Sequence, residues 1–166
     1  SRSVAINLSG QTIVEDSFLD FVIECLDHSQ MDPSQICFEV TEQAVLANLD
    51  HTRRFIGVLH GIGCSFALDD FGSDVGSLAS LQGLDIDFLK LDGVCTRDVM
   101  MDSVNQEVVS AVTRLSKAVG FKVIAEQVED QPSFDGLRDL GVNCIQGNYV
   151  EEPKSLGTHQ SGQVFK

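Results

Sequence analysis

Residues 65–72 read SFALDDFG, an apolar run that ends in two adjacent aspartates followed by Phe-Gly. A run of this length, rich in bulky apolar residues, is typical of a buried β-strand. Asp69 and Asp70 therefore stand where a strand leaves the core. The rest of the chain repeats this arrangement.

Five other apolar runs carry an acid, an amide or a lysine toward their downstream end. They are VAINLS at 4–9, ICFEVTE at 36–42, FLKLDG at 88–93, KVIAEQVE at 122–129 and NCIQGNYV at 143–150. The polar residues of the six runs are Asn7, Glu39, Glu42, Asp69, Asp70, Lys90, Asp92, Glu126, Glu129 and Gln146. Helical patterns separate the runs, and this alternation predicts an α/β fold with parallel strands.

The helical segments have recognisable ends and faces. The pattern predicts a helix through Phe55 that ends at Gly61 or Gly63, and another over residues 105–119 that ends at Gly120. A third segment, 17–26, places four apolar residues on one predicted buried face: Phe18, Phe21, Val22 and Cys25.

Two arrangements of the strands fit this pattern. An open doubly wound sheet concentrates its functional residues at one switch point. A (β/α)₈ barrel brings the carboxyl ends of all its strands to one mouth. Polar residues at nearly every strand end favour the barrel, and six strands instead of eight predict a partial one.

Composition restricts the classes of ligand that the chain can bind. The 166 residues are 43% hydrophobic and 22% charged, which is typical of a globular domain. The net charge of −14 argues against binding DNA or RNA, because that needs basic residues against the phosphates. A phosphate ester would need divalent cations to bridge it to the carboxylates. No apolar stretch is long enough for a membrane span, so we expect no membrane contact from this segment.

The five cysteines predict neither a zinc site nor a disulfide framework. They are widely spaced, odd in number and contain no C-x-x-C pair. This usage fits a reducing cytoplasm, and we expect a cytoplasmic protein.

Each candidate residue also has a purely structural interpretation. Asp69-Asp70 alone is common in turns and helix caps, and Lys90 alone is typical of a surface or ion-paired lysine. Asn7 alone suits a cap, and Gln146 can simply end a strand. The joint pattern favours a site, because every structural interpretation would otherwise coincide at a strand end.

In this order and spacing, INLS, FEVTE, ALDDFG, FLKLD, VIAEQVE and IQGNYV resemble the EAL domain of bacterial cyclic di-GMP phosphodiesterases. The resemblance implies a TIM-like (β/α)₈ barrel of which this chain has strands 3 to 8. It places a partial EAL domain at residues 1–153, and we expect a flexible tail at 154–166. It implies two-metal hydrolysis of cyclic di-GMP to linear pGpG, with Mg²⁺ or Mn²⁺ as cofactors and Ca²⁺ as an inhibitor.

The resemblance also implies roles for individual residues. Lys90 resembles the lysine that contacts the attacking water, and Glu126 the carboxylate that serves as general base or second-metal ligand. Asp69 resembles the bridging carboxylate of the metal pair. The implied metal ligands are Asn7, Glu39, Asp69 and Asp70.

Four further residues match positions around the site. Glu42 matches a residue that steadies the loop after DDFG, and Asp92 an acid beside the lysine. Glu129 and Gln146 match further positions on the rim of the site, as residues that bind substrate or support those that do.

The match has three departures. The Glu-Ala-Leu motif, whose glutamate is a metal ligand in the family, is absent, and we expect it upstream of this segment. The loop after DDFG has Asp74, Val75 and Gly76 where the family usually has Gly-Tyr-Ser within Gly-Thr-Gly-Tyr-Ser-Ser. Gln127 stands where a glycine is usual.

These departures leave three functions open. The segment is the catalytic part of a phosphodiesterase, a degenerate EAL domain that binds cyclic di-GMP without cleaving it, or a truncated domain held by a partner chain. We expect a homodimer within a larger protein that has upstream sensory or GGDEF-type domains.

Overall fold

The computed structural model describes residues 3–72, 81 and 83–151. The chain forms two compact units, residues 1–88 and 89–166. The expected flexible tail at 154–166 and the altered loop at 74–76 lie outside the described residues.

Strands and helices alternate along the described ranges, which confirms the predicted α/β class. The strands are β1 Val4–Leu8, β2 Ile36–Thr41, β3 Ser65–Phe71, β4 Phe88–Leu91, β5 Lys122–Ala125 and β6 Cys144–Ile145. The helices are α1 Gly10–Ile13, α2 Asp16–His28, α3 Glu42–Ala47, α4 Leu49–Ile62, α5 Gly93–Thr96, α6 Ser103–Val119 and α7 Gln131–Asp139. None of the helices described is long and apolar enough to cross a membrane.

Two of the predicted helix ends are confirmed. Gly63 follows α4 with a φ of 110°, and Gly120 follows α6 with a φ of 112°. Both values lie in the left-handed region that glycine adopts without a steric penalty. The chain therefore stops each helix where the sequence places a glycine.

The first unit contains a parallel sheet with the order β1-β2-β3. β2 alternates buried and half-buried side chains along its length. β1 differs, because Val4 and Ile6 are 45% and 39% exposed. The prediction of a buried strand is therefore wrong for β1, which stands at the end of the strand order and pairs with β2 alone among the described strands.

Aromatic packing covers one face of this sheet. The rings of Phe38 on β2 and Phe66 on β3 lie 5.6 Å apart, and each lies 6.3 Å from the ring of Phe55 on α4. Phe18 on α2 stacks on Phe55 at 6.1 Å. These contacts hold α2 and α4 against the sheet.

The predicted buried face of α2 is only partly right. Val22 is buried as expected, and so is Leu19, but Phe21 is 57% exposed and Cys25 is exposed. The buried stripe is rotated, because Leu19 and Val22 lie three residues apart on the side that packs inward.

The second unit has the strand order β4-β5-β6. β5 and β6 pair in parallel, with Ile124 beside Cys144 and Ala125 beside Ile145. Its core is mainly aliphatic, and the fully buried side chains include Leu89 on β4, Val109 on α6 and Leu137 on α7.

We expect Phe55→Ala to destabilise the fold by about 3–5 kcal/mol, because it removes a fully buried ring from the aromatic cluster. Phe21→Ala is the matched control, since Phe21 is also on a helix but is exposed. Urea unfolding measures both, and an equal loss for the two variants would contradict this account of the core.

Candidate active site

Three of the four predicted metal ligands of the first unit, Asn7, Glu39 and Asp69, lie on one face of its sheet. The register places Asn7 beside Glu39, and Glu39 beside Ala67. Side chains alternate between faces along a strand, so Asp69, two residues after Ala67, shares that face. Neighbouring strands lie roughly 4.8 Å apart and two residues span about 6.7 Å, so the Glu39 side chain lies between those of Asn7 and Asp69 on this face.

The residues around the three donors are small. The same face carries Ala5, Cys37, Thr41, Ser65 and Ala67. The rings of Phe38 on β2 and Phe66 on β3 point to the opposite face, toward Phe55 on α4. One face of the sheet is therefore a packing surface, and the other presents oxygen atoms.

The two adjacent aspartates point differently because the backbone turns between them. Asp70 has a φ of 57° and Gly72 a φ of 94°. The Asp70 amide donates to Asp69 Oδ1 at 2.9 Å. Asp70 thus departs from strand geometry before the assigned end of β3, and it is exposed while Asp69 is half-buried. Such strain is common at functional sites.

Glu42 begins α3 directly after β2. It is buried, and Thr41 caps the helix by accepting from the Ala44 amide at 3.3 Å. An acid in the first turn of a helix is favoured by the helix dipole. The loop that Glu42 is expected to steady lies outside the described ranges.

In the second unit, Lys90 and Glu126 form an ion pair. Lys90 Nζ lies 2.9 Å from Glu126 Oε1, and their side chains are 8% and 16% exposed. A cation this deeply buried is costly unless it is paired. The pair therefore fixes both groups at the ends of β4 and β5.

Asp92 follows the same strand and caps α5. Its Oδ1 accepts from the Val94 amide at 2.7 Å. Burial raises the pKa of the Cys95 thiol, and the charge of Asp92 raises that pKa further. Cys95 is therefore a poor nucleophile at neutral pH.

Gly93 of α5 and Arg97, which follows α5, contact the turn after Glu126. Gln127 has a φ of 55°, a left-handed value at the position where the EAL pattern has glycine. Arg97 donates to Gln127 Oε1. A Cβ on Gly93 would overlap the Gln127 amide group. The Gln127 side chain thus occupies space that glycine leaves open at position 93.

Glu129 and Gln146 are both exposed. The Gln146 amide donates to Ala125 O at 2.8 Å, and the Val128 amide donates to Gln146 O at 3.1 Å. Glu129 lines a pocket of about 130 Å³ beside Gln127. Gln146 therefore extends the backbone pairing past the end of β5.

Sequence comparison gives the family. The profile of the EAL domain matches residues 1–153. The chain belongs to the EAL domain family.

Curated relatives are much longer proteins. The chain is 32% identical to cyclic di-GMP phosphodiesterase PdeF of Escherichia coli, over 92% of the chain and 20% of that protein. It is 28% identical to cyclic di-GMP phosphodiesterase PdeB of Shewanella oneidensis, over 94% of the chain and 18% of that protein. The chain spans about a fifth of the length of these relatives.

Solved EAL structures share the fold. A PaMucR phosphodiesterase in complex with c-di-GMP superposes with a TM-score of 0.85 and 29% identity, covering 93% of this chain and 63% of that chain. Klebsiella pneumoniae BlrP1 in a manganese and cyclic di-GMP complex gives 0.80 and 29%, covering 87% and 37%. The fold is therefore that of a partial TIM-like (β/α)₈ barrel of the EAL type.

We expect Gly93→Ala to destabilise the chain by about 1–3 kcal/mol, because the added methyl displaces the Gln127 side chain. The same change in a Gln127→Gly background loses most of that cost. Urea unfolding of the four proteins of this double-mutant cycle measures the coupling.

Gly57→Ala is the matched control. Gly57 is a helical glycine with no atom within 4 Å of an added Cβ, so alanine stabilises by roughly 0.5–1 kcal/mol. A Gly93→Ala cost that stays the same with and without the Gln127 side chain would contradict the assigned contact.

Proposed function

We propose that this chain is part of the catalytic domain of a cyclic di-GMP phosphodiesterase that hydrolyses cyclic di-GMP to linear pGpG. The observation that carries the proposal is the register that gathers Asn7, Glu39 and Asp69 on one sheet face. The named relatives and the ligand complexes of similar EAL structures support the choice of substrate.

The donor set suits two hard divalent cations, Mg²⁺ or Mn²⁺. Amide and carboxylate oxygens are the ligands these ions prefer, and no thiol or imidazole is needed. Asn7, Glu39 and Asp69 would hold the first ion, with Asp69 shared and Asp70 turned toward the second. When bound, such ions supply an activated water and neutralise charge on the phosphoryl oxygens.

Lys90 and Glu126 would act on the water and its proton. The Lys90 ammonium has three donors and can orient a water molecule or a phosphate oxygen. Glu126 holds that ammonium at 2.9 Å and, as a carboxylate, can accept the proton of the attacking water.

The negative charges of the chain and of cyclic di-GMP explain why binding would need cations. The chain has a net charge of −14, and cyclic di-GMP carries two negative phosphodiesters. Carboxylates and phosphates repel each other without an intervening cation. We therefore propose that the chain binds a small-molecule ligand through metal ions and does not bind DNA or RNA.

We also propose that the chain acts as a homodimer within a longer cytoplasmic protein that has sensory or GGDEF-type domains. The greater length of the relatives supports the additional domains. The exposed apolar side chains of β1 suit a strand that pairs further, since an open edge invites another strand.

We expect the full-length protein to hydrolyse cyclic di-GMP with Mg²⁺ or Mn²⁺, to lose activity with a chelator, and to bind without turnover in Ca²⁺. Glu39→Gln and Asp69→Asn should each lower kcat by about 10²-fold or more, because each removes a charged metal ligand. Glu24→Gln, an exposed acid on α2, is the control. Chromatographic detection of pGpG measures all of these.

Three results would change the proposal. Unchanged activity of Glu39→Gln and Asp69→Asn would remove the metal assignment. Tight binding of cyclic di-GMP without pGpG in any metal would favour a receptor, consistent with the altered sequence at 74–76. A protein that neither binds nor hydrolyses cyclic di-GMP would exclude both functions.

A further inference from the structure

We propose that Thr96 is a positioning residue that holds Glu126 against Lys90. The proposal rests on the proposed function for its effect on catalysis. Its structural part concerns only the second unit. No motif in the sequence singles out Thr96, which lies in the stretch GVCTRD after the FLKLD run.

Glu126 lies just past the end of its own strand. β5 ends at Ala125, and its pairing with β6 ends at the same residue. The next residue after Glu126, Gln127, has a left-handed φ of 55°. The assigned strand β5 and its register with β6 therefore end one residue before Glu126, and a left-handed turn follows it.

Two hydrogen bonds connect the Glu126 backbone to the β4–α5 segment. The Glu126 amide donates to Leu91 O at 3.2 Å. The Thr96 hydroxyl donates to Glu126 O at 2.6 Å. The backbone N–H and C=O of Glu126 are thus both hydrogen-bonded to the segment that carries Lys90.

Thr96 is well placed to act as a fixed support. Its side chain is fully buried, and α5 begins three residues after Lys90, with its first turn capped by Asp92. A buried hydroxyl on a capped turn has little freedom to move. The Thr96 hydroxyl therefore holds the Glu126 backbone near Lys90, whose Nζ lies 2.9 Å from Glu126 Oε1.

The test compares Thr96→Val and Thr96→Ser in the full-length protein. Valine keeps the shape of threonine but removes the donor, so kcat should fall on the order of tenfold while KM stays within about twofold. Serine keeps the hydroxyl, so kcat should return to within roughly threefold of the unchanged protein.

Thr113→Val is the matched control. Thr113 is also buried in the second unit, and its hydroxyl also donates to a distant carbonyl, Leu140 O, at 3.1 Å. Thr113→Val should therefore destabilise the protein by a similar amount without lowering kcat. A purely structural role of Thr96 would make the two valine variants behave alike.

Amide hydrogen exchange gives a readout that does not depend on hydrolysis. Thr96→Val should speed exchange at the Glu126 amide roughly fivefold relative to the Val109 amide of α6, because one buried hydrogen bond is lost. Thr113→Val should leave that ratio unchanged.

The outcomes separate the two proposals. A protein that does not hydrolyse cyclic di-GMP counts against the proposed function, and the exchange ratio then decides the role of Thr96 alone. Equal kcat losses in Thr96→Val and Thr113→Val, or an exchange ratio that does not change in Thr96→Val, would overturn the positioning role.

Discussion

The parallel register of β1, β2 and β3 is the constraint on which the donor cluster of the first unit depends. A slip of one residue would turn every side chain of a strand to the other face. Glu39 would then point into the aromatic core, and Phe38 would replace it among the oxygen donors. The contacts among Phe38, Phe55 and Phe66 oppose such a slip. Packing on one face of the sheet therefore fixes the chemistry on the other.

Charge sets a second constraint. Carboxylates gathered on one sheet face repel each other. The two units meet this problem differently. In the second unit the buried Lys90 compensates Glu126 directly. In the first unit Asn7 contributes an oxygen without a charge, which lowers the repulsion among the donors. A cluster of this kind is suited to accept cations from solution.

The sequence pattern was sufficient for the α/β class and for the approximate positions of the six strands, because apolar runs are local signals. Gly63 and Gly120 likewise marked helix ends through a local backbone requirement. The buried face of α2 was not predictable to within one residue, since the neighbouring helix and sheet choose it. The contact of Thr96 with Glu126 spans 30 residues along the chain and leaves no local signal.

Two residues at strand ends have a left-handed backbone conformation, and both turn the chain beside a carboxylate. Asp70 and Gln127 each lie at or just after a carboxylate, and each turns the chain there. Asp70 is supported by the carboxylate of Asp69. Gln127 is supported by Arg97, and its side chain fills the space above Gly93. A glycine at position 127 would need no such anchor. Gln127 and Gly93 are therefore a matched pair, in which the absence of a side chain at position 93 leaves room for the one at position 127.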